Sequence, residues 1–481
     1  MWEFFESYWV ALLISLSVLA QVGTTLHLLL NRRDSASTVG WAALVSLAPL
    51  TGFALYWVLG INRIERKAHR LRRSASQRRQ RIEAALERCA REMLRLLSPR
   101  LIQLGNLGDA LTGTPLEAGN RVDPLYGGDH AYPEMLATID AARHSIALST
   151  YIFDNDDIGR RFARALKRAQ ARGVAVRVLI DGVGQRYSSP PMSRLLRELD
   201  IPSALFLAPS LPIRSQYLNL RNHRKILAVD GHTAFTGGLN IRVGSMLSAK
   251  PKHPIDDLHF RLEGPVVRFL VEAFAVDWHF TTGEQLSGER WYPLLRPAGD
   301  SIVRGVPDGP DEDFDNIRRM MLGALSAAHE RVRIVSPYFL PDQTLITALN
   351  LAAMRGVAVD ILMPAKNNLR FVQWAAQDQA DLLLAGGCNL WLTPPPFDHT
   401  KLMLVDDVWT FFGSANWDAR SLRLNFEYNL ECYDARLSAQ LHRLVDRKLV
   451  GARRLTLEQV CARSLPVRLR DAFVRLFAPY L

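Results

Sequence analysis

The chain has 481 residues, 48% of them apolar, which exceeds the length at which one hydrophobic core keeps growing, so at least two compact domains are expected. A formal charge of +11 points to an anionic partner without separating nucleic acid from an anionic membrane surface. Four scattered cysteines, Cys89, Cys388, Cys432 and Cys461, form no CxxC pair and no dense framework, so neither a structural zinc site nor a disulfide scaffold is indicated.

In chain order, the first feature is "WVALLISLSVLAQVGTTLHLLL" from Trp9 to Leu30, which lacks Asp, Glu, Lys and Arg and is long enough to cross a bilayer as a helix. It is no short apolar core followed by a small-residue cleavage site, so a retained anchor is expected rather than a signal peptide. A second uncharged run extends from Trp41 to Ile61, and Tyr8, Trp9, Trp41, Tyr56 and Trp57 sit at the ends as interfacial aromatics do. Pro49 and Gly52 interrupt this second run, which implies a kinked or re-entrant segment. Nine Lys or Arg against one Glu follow between Arg63 and Arg81. The positive-inside rule puts that end in the cytoplasm, against the smaller contribution of Arg32 and Arg33, and the same cluster suits anionic lipid headgroups. This divides the N-terminal region into a two-helix membrane anchor, 1–62, and a basic helical linker, 63–119.

Past residue 120 short β-rich runs alternate with helical patterns, as in βαβ units around a parallel-rich sheet. The chain then repeats itself. "SIALSTYIFDND" (145–156) matches "RVRIVSPYFLPD" (331–342), and "ARGVAVRVLI" (171–180) matches "MRGVAVDILM" (354–363). The offset between copies falls from 187 at Tyr151 and Tyr338, to 183 at the RGVAV strand, to 176 at a third pair of segments, as unequal loops would produce. A domain duplication at about 120–290 and 300–450 follows, with the proline-bearing "RWYPLLRPAGDS" as linker. The last stretch, 451–481, mixes Arg with Leu, Val and Phe at helical spacing, which fits a membrane-surface helix and a helix packed on the domain equally well.

The third repeated pair carries the chemistry. "NHRKILAVDGHTAFTGGLN" (222–240) sets out His223, Lys225, Asp230 and Asn240, and "DHTKLMLVDDVWTFFGSAN" (398–416) sets out His399, Lys401, Asp406 and Asn416 at the same spacing. In a strand, His and Lys at i and i+2 share a face, VDG and VDD read as hairpin turns, and the returning strand brings each Asn back toward its His. Imidazole, ammonium and carboxamide together suit phosphoryl transfer without a metal or cofactor. Two copies supply two histidines, one to attack phosphorus and one to protonate the leaving alcohol. There is no Gly-Lys dipeptide for a P-loop and no HExxH.

These motifs resemble the HKD motifs of the phospholipase D superfamily across about 120–450, and the anchor and basic run resemble those of its bacterial cardiolipin synthases. The resemblance implies two phospholipase D-like αβα-sandwich domains packed as a pseudo-dimer with one shared site, preceded by two N-terminal membrane helices. It implies transfer of a phosphatidyl group between two phosphatidylglycerols through a phosphatidyl-histidine, with His223 attacking and His399 serving as acid and then base. The partners implied are phosphatidylglycerol and anionic membrane lipids, not nucleic acid, at a bacterial inner membrane crossed more than once. Lys225 and Lys401 join the catalytic set with Asp230 and Asp406, the aspartates being usually structural in relatives. Asn240, Asn416 and Ser414 are expected to bind phosphate; the position matching Ser414 is Gly238, so the halves differ there. Asp257 in "DDLHFRLEG" and Glu427 in "NFEYNLE" stand after their motifs where relatives hold each imidazole's second nitrogen. Tyr151 and Tyr338 suit the site lining or an aromatic core. The DGxxAR signature of cardiolipin synthases that use a CDP-activated lipid is missing. A hydrolytic phospholipase D, or a tethered nuclease or phosphodiesterase, is the alternative.

Overall fold

The computed structural model describes residues 2–30, 35–57, 77–97, 99–208, 219–311 and 313–478. The chain divides into two compact units, Met1–Ile64 with Pro209–Leu220, and Glu65–Ala208 with Arg221–Leu481. Much of the basic run from Arg63 to Arg81 lies outside the described residues, as does the loop carrying Arg32 and Arg33.

In the first unit a helix spans Trp2–Leu30, of which Tyr8–Leu30 is long and apolar enough to cross a membrane. It is the one such helix among the described residues, where two were expected. The second apolar run is broken into Ser35–Leu47 and Pro49–Leu55 at Ala48, whose ψ of 75° is not helical. Pro49 causes the break, because it lacks an N–H and its ring crowds the preceding turn. The short helices fold back on the long one, and His27 Nδ1 lies 2.7 Å from the Tyr56 hydroxyl.

The second unit is built on one sheet of 16 strands. From one edge the order is Ser203–Phe206, Ala175–Asp181, Ser145–Thr150, Ile226–Val229, Thr233–Gly237, Leu258–Glu263 and Glu117–Tyr126. The second half continues with the same sequence reversed: Ser301–Asp308, Asn425–Tyr433, Trp409–Gly413, Leu402–Val405, Arg331–Val335, Ala358–Pro364 and Asn389–Thr393, with Arg453–Leu455 at the far edge. The halves join where Glu117–Tyr126 and Ser301–Asp308 pair antiparallel.

The repeated segments occupy equivalent places. Both RGVAV strands pair parallel with the strand of the preceding repeat, and both motif hairpins lie antiparallel beside it. Each copy of the first repeated segment ends in an aspartate that starts a helix. Asp156 accepts from the Gly159 N–H at the head of Asp157–Ala171, and Asp342 accepts from the Thr344 and Leu345 N–H groups at the head of Gln343–Met354. The first helix buries Ile158, Phe162, Ala165, Leu166 and Ala169, a stripe at helical spacing against the sheet. Helices Gln77–Leu97 and Pro99–Thr112 add Ala90, Leu94, Leu101 and Leu104 to the core of the second half. The closing helix, Leu465–Arg475, packs on Arg370–Ala385 through a small cluster of Leu340, Ala375 and Val474.

Candidate active site

Two reciprocal strand crossings build the site. Arg221–Asn222, leading into the first motif, runs parallel to Asn425–Phe426 of the second half, and Ile255–Asp256 of the first half runs parallel to Phe397–Asp398, leading into the second motif. The His223 N–H therefore donates to the Phe426 carbonyl at 2.9 Å, and the His399 N–H to the Asp256 carbonyl at 2.7 Å. The next residue along each partner strand is a buried carboxylate. Glu427 lies 3.0 Å from His223 Nδ1, and Asp257 lies 2.7 Å from His399 Nδ1. The imidazole–carboxylate couples are thus crossed, each histidine held by the other half. Spacing along the chain places Asp257 after His223 and Glu427 after His399 and carries no sign of the exchange.

Both histidines line one cavity of ≈ 320 Å³, together with Asn240, Asn416, Tyr151 and Tyr338. The Tyr151 ring lies 5.1 Å from the His223 ring and 5.6 Å from Lys225 Nζ. Each lysine reaches back to the carbonyl of its own histidine, Lys225 at 2.6 Å and Lys401 at 2.5 Å, and Lys401 Nζ is also 2.9 Å from His399 Nδ1. Burial pushes the Lys225 ammonium down to about 7 and that of Lys401 down to about 8. Burial likewise lowers His399 to about 4 and His223 below its ordinary value, so both imidazoles are neutral at neutral pH. Asp257 and Glu427 are buried too, which alone would raise them, but the hydrogen bond of the histidine each holds and the neighbouring lysine keep them below the usual carboxylate range.

Six of the residues expected at the site do not line this cavity: Lys225, Lys401 and Glu427 are bonded to the histidines that do, and Asp230, Asp406 and Ser414 serve the framework. Asp230 and Asp406 sit at the hairpin turns with φ of 52° and 50° and accept from three successive N–H groups each, Arg143 to Ser145 and His329 to Arg331. They pin each motif hairpin to the start of the neighbouring strand. Ser414 is fully buried; its hydroxyl accepts from the Tyr428 N–H at 2.9 Å, donates to the Tyr428 carbonyl at 3.4 Å, and lies near enough to Glu427 to help lower that carboxylate. Its hydroxyl therefore supports the carboxylate instead of facing the cavity. The matching Gly238 is explained by the shorter acid: a Cβ there would lie 2.1 Å from Asp257 Oδ1. Asn240 accepts from the Ile152 N–H at 3.0 Å, and Asn416 donates to Ser421 Oγ at 3.0 Å while its own Oδ1 is buried without a partner among the described residues.

Sequence reasoning missed the groups that hold the crossings. Arg224, in the first motif, is buried against Asp277 at 3.0 Å and donates to the Glu427 carbonyl. In the second half the charges are inverted: Lys448 bridges Asp256 at 2.7 Å and Asp398 at 2.8 Å. The signal was the contrast of NHRK with DHTK, a cation inside one motif and an anion beside the other.

A duplicated fold that brings two HxK motifs to one cavity defines a phospholipase D-like site. The family described as "Cardiolipin synthase, PLD-like domain" matches residues 135–250 and 321–449, and the chain belongs to it. It is 31% identical to cardiolipin synthase 1 of Bacillus cereus over 474 residues, 96% of this chain and 92% of that one. It is 31% identical to the major cardiolipin synthase ClsA of Bacillus subtilis over 94% of this chain and 95% of the relative. Among solved structures the phosphatidylserine synthase of Haemophilus influenzae has the same fold, with a TM-score of 0.57 at 14% identity over 79% of this chain and 100% of that one.

Proposed function

We infer that the chain acts as a cardiolipin synthase, a phosphatidyltransferase of the phospholipase D superfamily, on phosphatidylglycerol. The observation that carries the mechanism is the crossed pair of imidazole–carboxylate couples at one cavity. A carboxylate accepting from Nδ1–H leaves the Nε2 lone pair of His223 free to attack. The P–N bond forms as the P–O bond to the glycerol headgroup breaks, and His399 gives the departing oxygen its proton. The anionic phosphodiester, entering between two lysines, raises His399 enough to carry that proton. Glycerol leaves. His399, now neutral, takes the proton from the terminal hydroxyl of a second phosphatidylglycerol, whose oxygen displaces His223 from phosphorus. Cardiolipin results, the proton is back on His399, and no nucleotide is consumed because one phosphodiester replaces another. Lys225, Lys401, Asn240 and Asn416 are the groups we assign to the non-bridging oxygens.

The functional unit is the pair of halves at about 120–290 and 300–450. We place it on the cytoplasmic side of a bacterial inner membrane crossed more than once, a reading supported by the basic run from Arg63 to Arg81. A reporter fused at the C-terminus tests that side. Purified chain given phosphatidylglycerol alone is expected to release glycerol and cardiolipin in equal amounts; phosphatidic acid in place of cardiolipin would instead support hydrolysis.

A further inference from the structure

The closing helix has two opposite faces. At 100° per residue, Val467, Asp471, Val474 and Ala478 fall on one side, and all four are buried or half-buried, Val474 and Ala478 packing on Arg370–Ala385. Leu465, Leu469, Phe473 and Leu476 fall on the other side, roughly 160° away, where a packed domain would show polar residues. They are exposed instead, Leu469 and Phe473 each by 61%. Arg468 and Arg475 edge this apolar face on one flank and Arg470 on the other. The segment 451–481 carries six arginines against Glu458 and Asp471.

The surface continues to the catalytic cavity. The Arg470 guanidinium lies 4.1 Å over the Trp374 ring, Trp374 meets Phe371 at 5.5 Å between ring centroids, and Phe371 is 59% exposed. Its neighbours Leu369 and Val372 line the cavity that holds both histidines. An apolar surface with a basic border thus begins at the rim of the site and ends on the helix.

We propose that the outer face of Leu465–Arg475, with Phe371 at the cavity rim, docks on the surface of an anionic phospholipid bilayer and sets the cavity mouth at headgroup level. This rests on the reading of the site as acting on membrane phospholipid. Apolar side chains enter the acyl boundary while flanking arginines meet phosphates, the arrangement of interfacial helices. A second copy on the same face would set these arginines against their own like charges. The helix acts as a depth gauge, so that a lipid enters the cavity headgroup first without leaving the bilayer.

The test uses the full chain in vesicles of phosphatidylglycerol and phosphatidylcholine, with exposed Cys89 and Cys461 changed to Ser and a nitroxide placed by Leu469→Cys. The label is expected to be reached by oxygen and shielded from a water-soluble relaxant, at a depth of about 5–10 Å. A water-exposed label overturns the proposal, as does spin–spin broadening that vanishes on dilution with unlabelled chain, the sign of a second copy. In parallel, the Leu469→Gln/Phe473→Gln variant is expected to lose about tenfold in turnover on vesicles and nothing on monomeric short-chain phosphatidylglycerol. Equal turnover to the parent on vesicles, or an equal loss on both substrates, refutes docking while leaving the catalytic reading intact. Failure of the parent chain to make cardiolipin from either substrate would refute that reading instead.

Discussion

Replacing Glu427 by Gln keeps the shape of a fully buried side chain and removes the charge that holds His223 Nδ1 at 3.0 Å. Gln can present its amide N–H to Nδ1, which favours the tautomer with the proton on Nε2 and blocks attack. A mis-held, less basic imidazole costs roughly 10³–10⁴ in rate, or about 4–5.5 kcal/mol of barrier. Asp257→Asn makes the same change at His399, whose Nδ1 is 2.7 Å from that carboxylate. The two variants separate on a phosphatidyl ester of nitrophenol, a leaving group that departs without being protonated. Rapid-mixing measurement of the nitrophenol burst is expected to show Glu427→Gln slowed by about 10³ and Asp257→Asn by about tenfold or less, because only the first couple serves the attacking group. On phosphatidylglycerol both variants are expected to be deeply impaired. A burst slowed by Asp257→Asn and spared by Glu427→Gln would reverse the assignment of the histidines, and equal slowing would refute the division of labour between the couples.

Four further outcomes follow from the same geometry. Gly238→Ala drives a Cβ into the Asp257 carboxylate and is expected to lower kcat by tenfold or more with little change in KM, read from steady-state kinetics. Asp406→Asn weakens the acceptor for three N–H groups at a turn outside the cavity, so it should lower stability by about 1–3 kcal/mol in denaturant titration while kcat of the folded fraction stays close to that of the parent. Lys448→Met strands Asp256 and Asp398 beside each other at the crossing and is expected to cost about 2–4 kcal/mol and to loosen His399, seen as parallel losses in melting temperature and transfer rate. The folded values of His399, about 4, and Lys225, about 7, lie below their ordinary 6.5 and 10.5. In each window the unfolded chain binds more protons, so stability should rise with pH from about 4 to 6.5 and again from about 7 to 10.5; Lys225→Met should flatten the upper rise in thermal melts.

The duplication and the family were legible because an HxK motif recurs at one spacing inside a longer repeat, and strand chemistry puts such residues where a phosphate can meet them. The long apolar helix was legible from its lack of charge. Its companion was legible as an interrupted run, since Pro49 and Gly52 within Trp41–Ile61 signalled a kink and the break falls at Ala48, just before Pro49; what composition did not show is that neither piece is long enough to span. The crossed couples were hidden for a different reason. Asn425–Phe426 reaches His223 only because the two halves join in one sheet, and pairing between segments about 200 residues apart leaves no local pattern. Ser414 was misleading for a related reason: a hydroxyl next to a motif glycine reads as a phosphate ligand until the length of the facing acid, Glu427 rather than Asp257, is seen to require it.

The central claim is that a phosphatidyl group passes through one histidine of a shared site. It is tested most directly by quenching the full chain with base during turnover of phosphatidylglycerol and locating the phosphorus by peptide mass spectrometry. The account predicts a base-stable, acid-labile phosphoramidate on the peptide containing His223, formed with release of glycerol and consumed as cardiolipin appears. Phosphorus on His399 alone, or cardiolipin formed at full rate with no phosphorylated histidine at any time point, would contradict it.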